Sequence, residues 1–139
     1  MKVSKKAYYG LRAMLALANE QEPLSGHDLA KRESMPEEYV EKILQELRRG
    51  GFIVSHKGTR GGYVLAKAPC DLNLWEILTH LDGKLKIYAP NTPGTLPCFQ
   101  VSHCQTNLVF RLVEQELEQS LSRVSLQTLA EQAPILQTA

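Results

Sequence analysis

Two groups of residues carry side chains with chemistry to offer. In the first, Glu38, Glu41, Lys42, Gln45 and Arg49 recur at three- and four-residue steps between Pro36 and the Gly50–Gly51 pair. Lys57 and Arg60 follow in a Gly-rich stretch just beyond. Carboxylates and amides can pair with base edges, and Lys and Arg with phosphates. The second group is a thiol pair, Cys98 and Cys104, with His103 beside it. Thiolates and imidazoles ligate transition metals, and two thiols can also be oxidised to a disulfide. No enzyme constellation accompanies them. His27, His56, His80 and His103 are scattered, and Gly58 to Gly62 fits a hairpin turn better than a phosphate loop after a strand. Neither catalysis nor a small-molecule substrate is therefore expected.

The elements that must position the first group can be read from periodicity. On a helical wheel Tyr39, Ile43 and Leu47 share about one quadrant, flanked by Val40 and Leu44, and the five polar residues occupy the opposite arc. Glycine suits the left-handed cap position, so the helix stops at Gly50–Gly51. A shorter helix precedes it, from about Gly26 to Arg32, with Ser25 and Asp28 spaced as a capping box. Ser34-Met35-Pro36 leaves no room for a long connection, so the two helices must turn sharply against each other, as in a helix-turn-helix. Phe52 to His56 and Gly62 to Ala66 are rich in β-formers and are joined by Lys57-Gly58-Thr59-Arg60-Gly61, a hairpin with basic residues at its tip. The expected fold is mainly α with a small β-hairpin: a winged helix-turn-helix whose wing tip can enter a minor groove through Lys57 or Arg60. A polar helix face can also be simply solvated, and the same unit occurs in modules that bind protein.

The 139 residues suffice for one domain with a real core, or for a small domain plus an arm. With 43% hydrophobic and 22% charged residues and no apolar run of membrane-spanning length, no membrane association is expected. The opening Met1 to Lys6 is basic but leads into an amphipathic segment containing Arg12 and Asn19, unlike a secretory signal, so the cytoplasm is the expected compartment. Net charge is only +1, yet it is unevenly placed. Residues 1–70 hold 12 Lys and Arg against 8 Asp and Glu, while residues 71–139 hold 4 against 7. The positive half carries the winged helix, as binding to DNA phosphates requires.

Three segments follow: residues 1–82 as the winged-helix domain, 83–105 as a cysteine-containing loop, and 106–139 as a long helix with a tail. In the first, an apolar stripe of Ala7, Tyr8, Leu11, Met14, Leu15 and Ala18 marks a helix over 5–20, and Lys2, Lys5 and Lys6 at its start are either phosphate contacts or merely solvated. Asn73 and Glu76 form a second capping box before Leu74, Ile77, Leu78 and Leu81, with Trp75 expected to pack. The loop has no period and contains Pro90, Pro93, Gly94 and Pro97; loops of that length are usually functional or disordered. Residues 106–124 form the longest helix, with Leu108, Val109, Leu112, Val113, Leu117, Leu121 and Val124 on one side and Glu114, Glu116 and Glu118 outside. So long a helix after a complete winged helix has little core of its own to cover. It reads as a dimerisation helix packed on its copy about a two-fold axis. Residues 125–130 suggest a short final helix.

Laid out in this order, the chain resembles the IscR/NsrR/CymR (Rrf-two) family of bacterial winged-helix transcriptional regulators over nearly its whole length. The likeness rests on Lys2-Val3-Ser4 leading into Tyr9 to Met14, on Leu29-Ala30, on Tyr39 to Leu44, on Leu47 to Phe52, and on Gly58 to Ala66. It implies a homodimer that binds a palindromic operator on double-stranded DNA, with repression the expected sense. The recognition helix would enter the major groove, with Glu41 at the position of a base-contacting Glu and Lys57 where many members carry a wing Arg. Many members hold an iron–sulfur cluster, [2Fe–2S] being the form expected here, through three loop cysteines. Cys98 and Cys104 match the second and third, while Pro90 sits near the place of the first. Asn107 stands where some members have a His ligand, Tyr8 where others supply an acid, and Cys70 matches no ligand position. Two thiolates fall short of the four protein ligands typical of such a cluster. His103 or a second subunit could add donors; otherwise the pair is a redox thiol pair or two plain loop thiols. Zinc fits less well, because closely spaced cysteine pairs are absent. Cys70, after Pro69 at the end of the wing, is expected to pack. The alternatives to a DNA-binding regulator are a winged-helix protein-interaction module and a cluster-carrying redox protein.

Overall fold

A computed structural model describes residues 2–87 and 105–137. Helices α1 (Lys5–Ala18), α2 (Gly26–Glu33) and α3 (Glu37–Arg49) come first. They are followed by strands β1 (Ile53–His56) and β2 (Gly62–Leu65) and a 3-10 turn at Pro69–Asp71. Helices α4 (Leu74–Asp82), α5 (Gln105–Ser122) and α6 (Leu126–Gln137) complete the described chain. The strands pair antiparallel with Ile53 opposite Leu65 and His56 opposite Gly62. Leu24 adds a bridge to Tyr63, so the chain entering α2 is tied to the hairpin. The fold is the expected mainly α one with a small hairpin: α2 and α3 are the helix-turn-helix and β1–β2 the wing.

The sharp turn between α2 and α3 has a specific cause. Ser34 takes the left-handed conformation at φ 53°. The N–H of Met35 donates to Ala30 O and that of Ser34 to Lys31 O, so two carbonyls at the end of α2 are satisfied. Pro36 then starts α3 with extended backbone, and Met35 is buried beneath the turn. The N-caps follow the sequence: Ser25 Oγ accepts from Asp28 N–H, and Asn73 Oδ1 from Glu76 N–H. The Asp28 carboxylate meets the Ser25 hydroxyl rather than closing a box onto the backbone.

The core lies under α1. Ala7, Met14, Leu29, Ile43, Leu44, Leu47, Ile53, Leu72, Ile77 and Leu81 are all buried in it, joined by Leu126 from α6. Leu126 N–H donates to Leu72 O and Leu74 N–H to Val124 O, so the tail returns to the helical core of residues 1–82. Tyr9 meets Tyr39 edge-to-face at 5.6 Å. Arg12 donates to the Glu33 carboxylate at 2.9 Å and to the Glu33 carbonyl at 2.7 Å. These contacts hold α1 against α3 and α2.

The two glycines after α3 do different jobs. Gly51, at φ 73°, is the left-handed cap. Gly50 stays right-handed, and its missing side chain matters for space: a Cβ there would lie 2.6 Å from His80 Nε2. The His80 ring is pinned, because Nε2–H donates to the Glu46 carbonyl at 2.8 Å and the ring packs on Phe52. Gly50→Ala should therefore destabilise the fold by about 1–3 kcal/mol through overpacking, and adding His80→Ala should recover part of that loss. An unchanged or higher melting temperature for Gly50→Ala would show that the ring is free to move aside.

Candidate nucleic-acid interface

The polar arc of α3 is largely outside. Glu38, Lys42, Gln45 and Arg49 are exposed and form one ridge along the helix, with Val40, Ile43, Leu44 and Leu47 buried behind it. Tyr39, read with the buried set, is half-buried against Tyr9. Arg49 makes only a 3.5 Å contact with Glu46 one turn back, and such an exposed pair holds its side chain weakly. Arg48, which the wheel did not single out, is exposed beside this ridge in the last turn, where a cation also complements the helix dipole.

Glu41 differs from its neighbours. It is half-buried, and its carboxylate lies against the first residue of α2: a Cβ placed on Gly26 would be 2.0 Å from Glu41 Oε1. Periodicity put Glu41 on the polar arc but could not show that it leans onto another helix.

In the wing, Lys57, Thr59 and Arg60 are exposed at the tip, and Gly61 N–H donates to Gly58 O to close the turn. Gly58 has φ 128°, a region L side chains rarely enter. The N-terminal arm is anchored as well. Ser4 Oγ accepts from Ala7 N–H to cap α1, while Ser4 N–H donates to Asp82 Oδ2 at 3.0 Å and the Ser4 hydroxyl to the other oxygen of that carboxylate. Lys2 on this anchored arm and Lys5 and Lys6 in the first turn of α1 are exposed.

The other candidate residues are placed less evenly. No residue of α5 is buried. Its apolar residues include an exposed set, Leu108, Val109, Leu112 and Val113 at 56%, 55%, 52% and 43%, and a half-buried pair, Leu117 and Leu121; the helix ends at Ser122, so Val124, expected on it, lies just beyond and is half-buried. Glu114 was expected outside with Glu116 and Glu118. It is instead half-buried, accepting the Ile87 N–H at 2.7 Å, a contact between distant residues that periodicity cannot see. Cys70 was expected to pack; it is exposed, because the 3-10 turn carries it outward while Leu72 takes the buried place. Trp75 is half-buried and lines a cavity of about 480 Å³ with Leu108 and Leu112. Tyr8 is exposed on α1, with the Arg12 guanidinium 6.0 Å from its ring centre, and Asn107 is half-buried in the first turn of α5. Cys98, His103 and Cys104 lie outside the described residues. Among the described residues no three His, Cys, Asp or Glu side chains are grouped to hold a metal, and no helix is long and apolar enough to cross a membrane.

With this geometry in view, the chain compares closely with known regulators. It is 30% identical to IscR of T. potens, whose structure superposes with a TM-score of 0.78 over 100% of this chain and 93% of that one. CymR, the global cysteine regulator of B. subtilis, gives a TM-score of 0.74 at 27% identity, covering 94% of this chain and 97% of that one. A further relative in Synechocystis, slr0846, provisionally described as an HTH-type transcriptional regulator, is 40% identical over 88 residues. That match spans 62% of this chain and 60% of the relative, less than two thirds of its length. The family profile described as "Rrf2: Iron-dependent Transcriptional regulator" matches residues 3–132, so the chain belongs to the Rrf2 family of transcriptional regulators.

Proposed function

We propose that this regulator is a homodimer that binds a palindromic operator in double-stranded DNA and represses from it, and that the state of the Cys98–Cys104 loop sets its affinity. The observation that carries the DNA reading is the joint exposure of the α3 ridge and the basic wing tip on a winged helix, in the half of the chain with the positive charge. Glu38, Glu41, Lys42 and Gln45 are the base-reading set; Lys2, Arg49, Lys57 and Arg60 are the phosphate set. The exposed stripe Leu108–Leu112 on α5, together with Leu117 and Leu121 further along, is the proposed dimer seam. The reading places residues 1–82 as the DNA-binding unit, 83–105 as the sensor loop and 106–139 as the dimer helix with its tail.

The loop brings two thiols and one imidazole, His103. A [2Fe–2S] centre held by Cys98 and Cys104 therefore needs donors from outside the loop, whereas thiol chemistry needs none. A visible absorption spectrum of anaerobically purified protein separates these two forms of sensing.

The DNA reading is tested by band retardation with two variants. Glu41 can accept from cytosine N4, a contact worth roughly 1–3 kcal/mol of discrimination, so Glu41→Ala should relax sequence preference. Lys57→Ala should weaken binding to all sequences and shallow the slope of log affinity against log salt by about one unit. Undiminished preference in the first variant, or the wild-type slope in the second, rejects these roles. Absence of any salt-sensitive retardation would favour the protein-interaction or redox-carrier reading instead.

A further inference from the structure

We infer that Gly26 is a specificity-determining residue: by lacking a side chain, it forms the berth that fixes the Glu41 carboxylate in its reading position. The inference rests on the base-reading role proposed for Glu41.

Gly26 is buried at the first position of α2, and Glu41 leans on it from α3. A Cβ at residue 26 would stand 2.0 Å from Glu41 Oε1 and 2.9 Å from its Cδ, so the carboxylate occupies the space a side chain would take. Leu44 Cδ1 walls the same space at 3.5 Å. What holds the carboxylate there is space: the berth between Gly26 and Leu44 restricts a side chain that otherwise samples many rotamers. Ser25, the adjoining cap, is occupied with Asp28 through both its acceptor and its hydroxyl proton, so it does not compete for Glu41. A carboxylate held in one place can select a donor at one place in a groove; a freely rotating one loses that selectivity.

Ala at residue 26 must displace something, and the atom in the way is the far end of a flexible side chain. Glu41 should move off while the backbone stays. The probe is a duplex selected by the wild-type protein from random-sequence DNA, with each base pair substituted in turn. Gly26→Ala should lower discrimination at the base pair that Glu41 reads by about tenfold, approaching the loss in Glu41→Ala. Its salt slope should remain that of wild type, because no cation is removed. Adding Gly26→Ala to Glu41→Ala should change discrimination no further. Glu41→Asp, with Gly26 intact, keeps the charge but falls short of the berth by one methylene. It should lose discrimination likewise, and it carries the test if Gly26→Ala fails to melt cooperatively.

A wild-type protein with no sequence preference, or a Glu41→Ala variant that keeps its preference, overturns the base-reading role and this inference with it. If Glu41→Ala relaxes preference while Gly26→Ala or Glu41→Asp retains it, the inference alone is overturned. It is also overturned if Gly26→Ala lowers discrimination equally without Glu41, since the effect would then come through α2.

Discussion

Changing Leu108 and Leu112 together to Arg is expected to split the proposed dimer into monomers of 15.6 kDa and to weaken binding to the proposed operator by at least about a hundredfold. The pair is chosen from burial. Both side chains are more than half exposed in the single chain, so Arg there disturbs no intrachain core. In a two-fold seam each Arg would lie without a partner in apolar surroundings, where an uncompensated charge costs several kcal/mol. Affinity falls because a palindrome rewards two linked recognition helices: once one half-site is bound, the second binds at the high effective concentration set by the dimer. Monomers lose that gain but keep the wing and the α3 ridge, so weak, salt-sensitive binding to any duplex should persist. Leu117→Arg is a poorer probe, since Leu117 is half-buried within its own chain and the change mixes folding with association. Light scattering at micromolar concentration decides the matter. A double variant with the mass of wild type would move the seam elsewhere on the surface.

The parts of this fold legible in the sequence are those whose cause is local. Ser34-Met35-Pro36 announced the turn between α2 and α3, and the capping side chains of Ser25 and Asn73 accept where their spacing placed them. The polar ridge of α3 followed from one apolar face and its complement. What escaped depends on partners far along the chain. Both glycines after α3 read alike as helix terminators, and only His80 on α4 shows that Gly50 leaves room for a ring while Gly51 supplies the turn. Glu41 reads as one more polar residue until Gly26 is seen beneath it. The apolar residues of α5 read as one face because their arc is wide; packing inside the chain divides them into an exposed stripe and a half-buried set. Glu114 fell on the polar side by its type, yet it answers the amide of Ile87.

Replacing Cys98 or Cys104 with Ser is expected to leave the protein folded and able to bind DNA but to abolish the proposed response to oxidant or iron supply. Segment 88–104 joins α4 to α5, and the structure shows what adjoins it on either side. Ile87, the last described residue before it, donates its N–H to Glu114 on α5. Within α4, His80 donates to the Glu46 carbonyl in the last turns of α3. A change at the thiols that shifts α5 against α4 thus has a route of contacts to the recognition helix. Because half-site spacing is geometrically strict, a small change in the pose of two such helices alters affinity, and couplings of this kind amount to roughly 5- to 150-fold. If the thiolates bind iron, either Ser change should bleach the visible bands. If they do not, an added peroxide should take two electrons from the thiol pair and two protons leave as the sulfurs bond, lowering the mass by about two hydrogens. Cys70 is the control: it is exposed and so open to reagents, but it lies in the turn before α4, and Cys70→Ser should leave the response intact. The measurement is operator affinity with and without oxidant, and in iron-replete and iron-depleted protein. A Cys98→Ser, Cys104→Ser double variant that responds like wild type would place the sensor outside this loop.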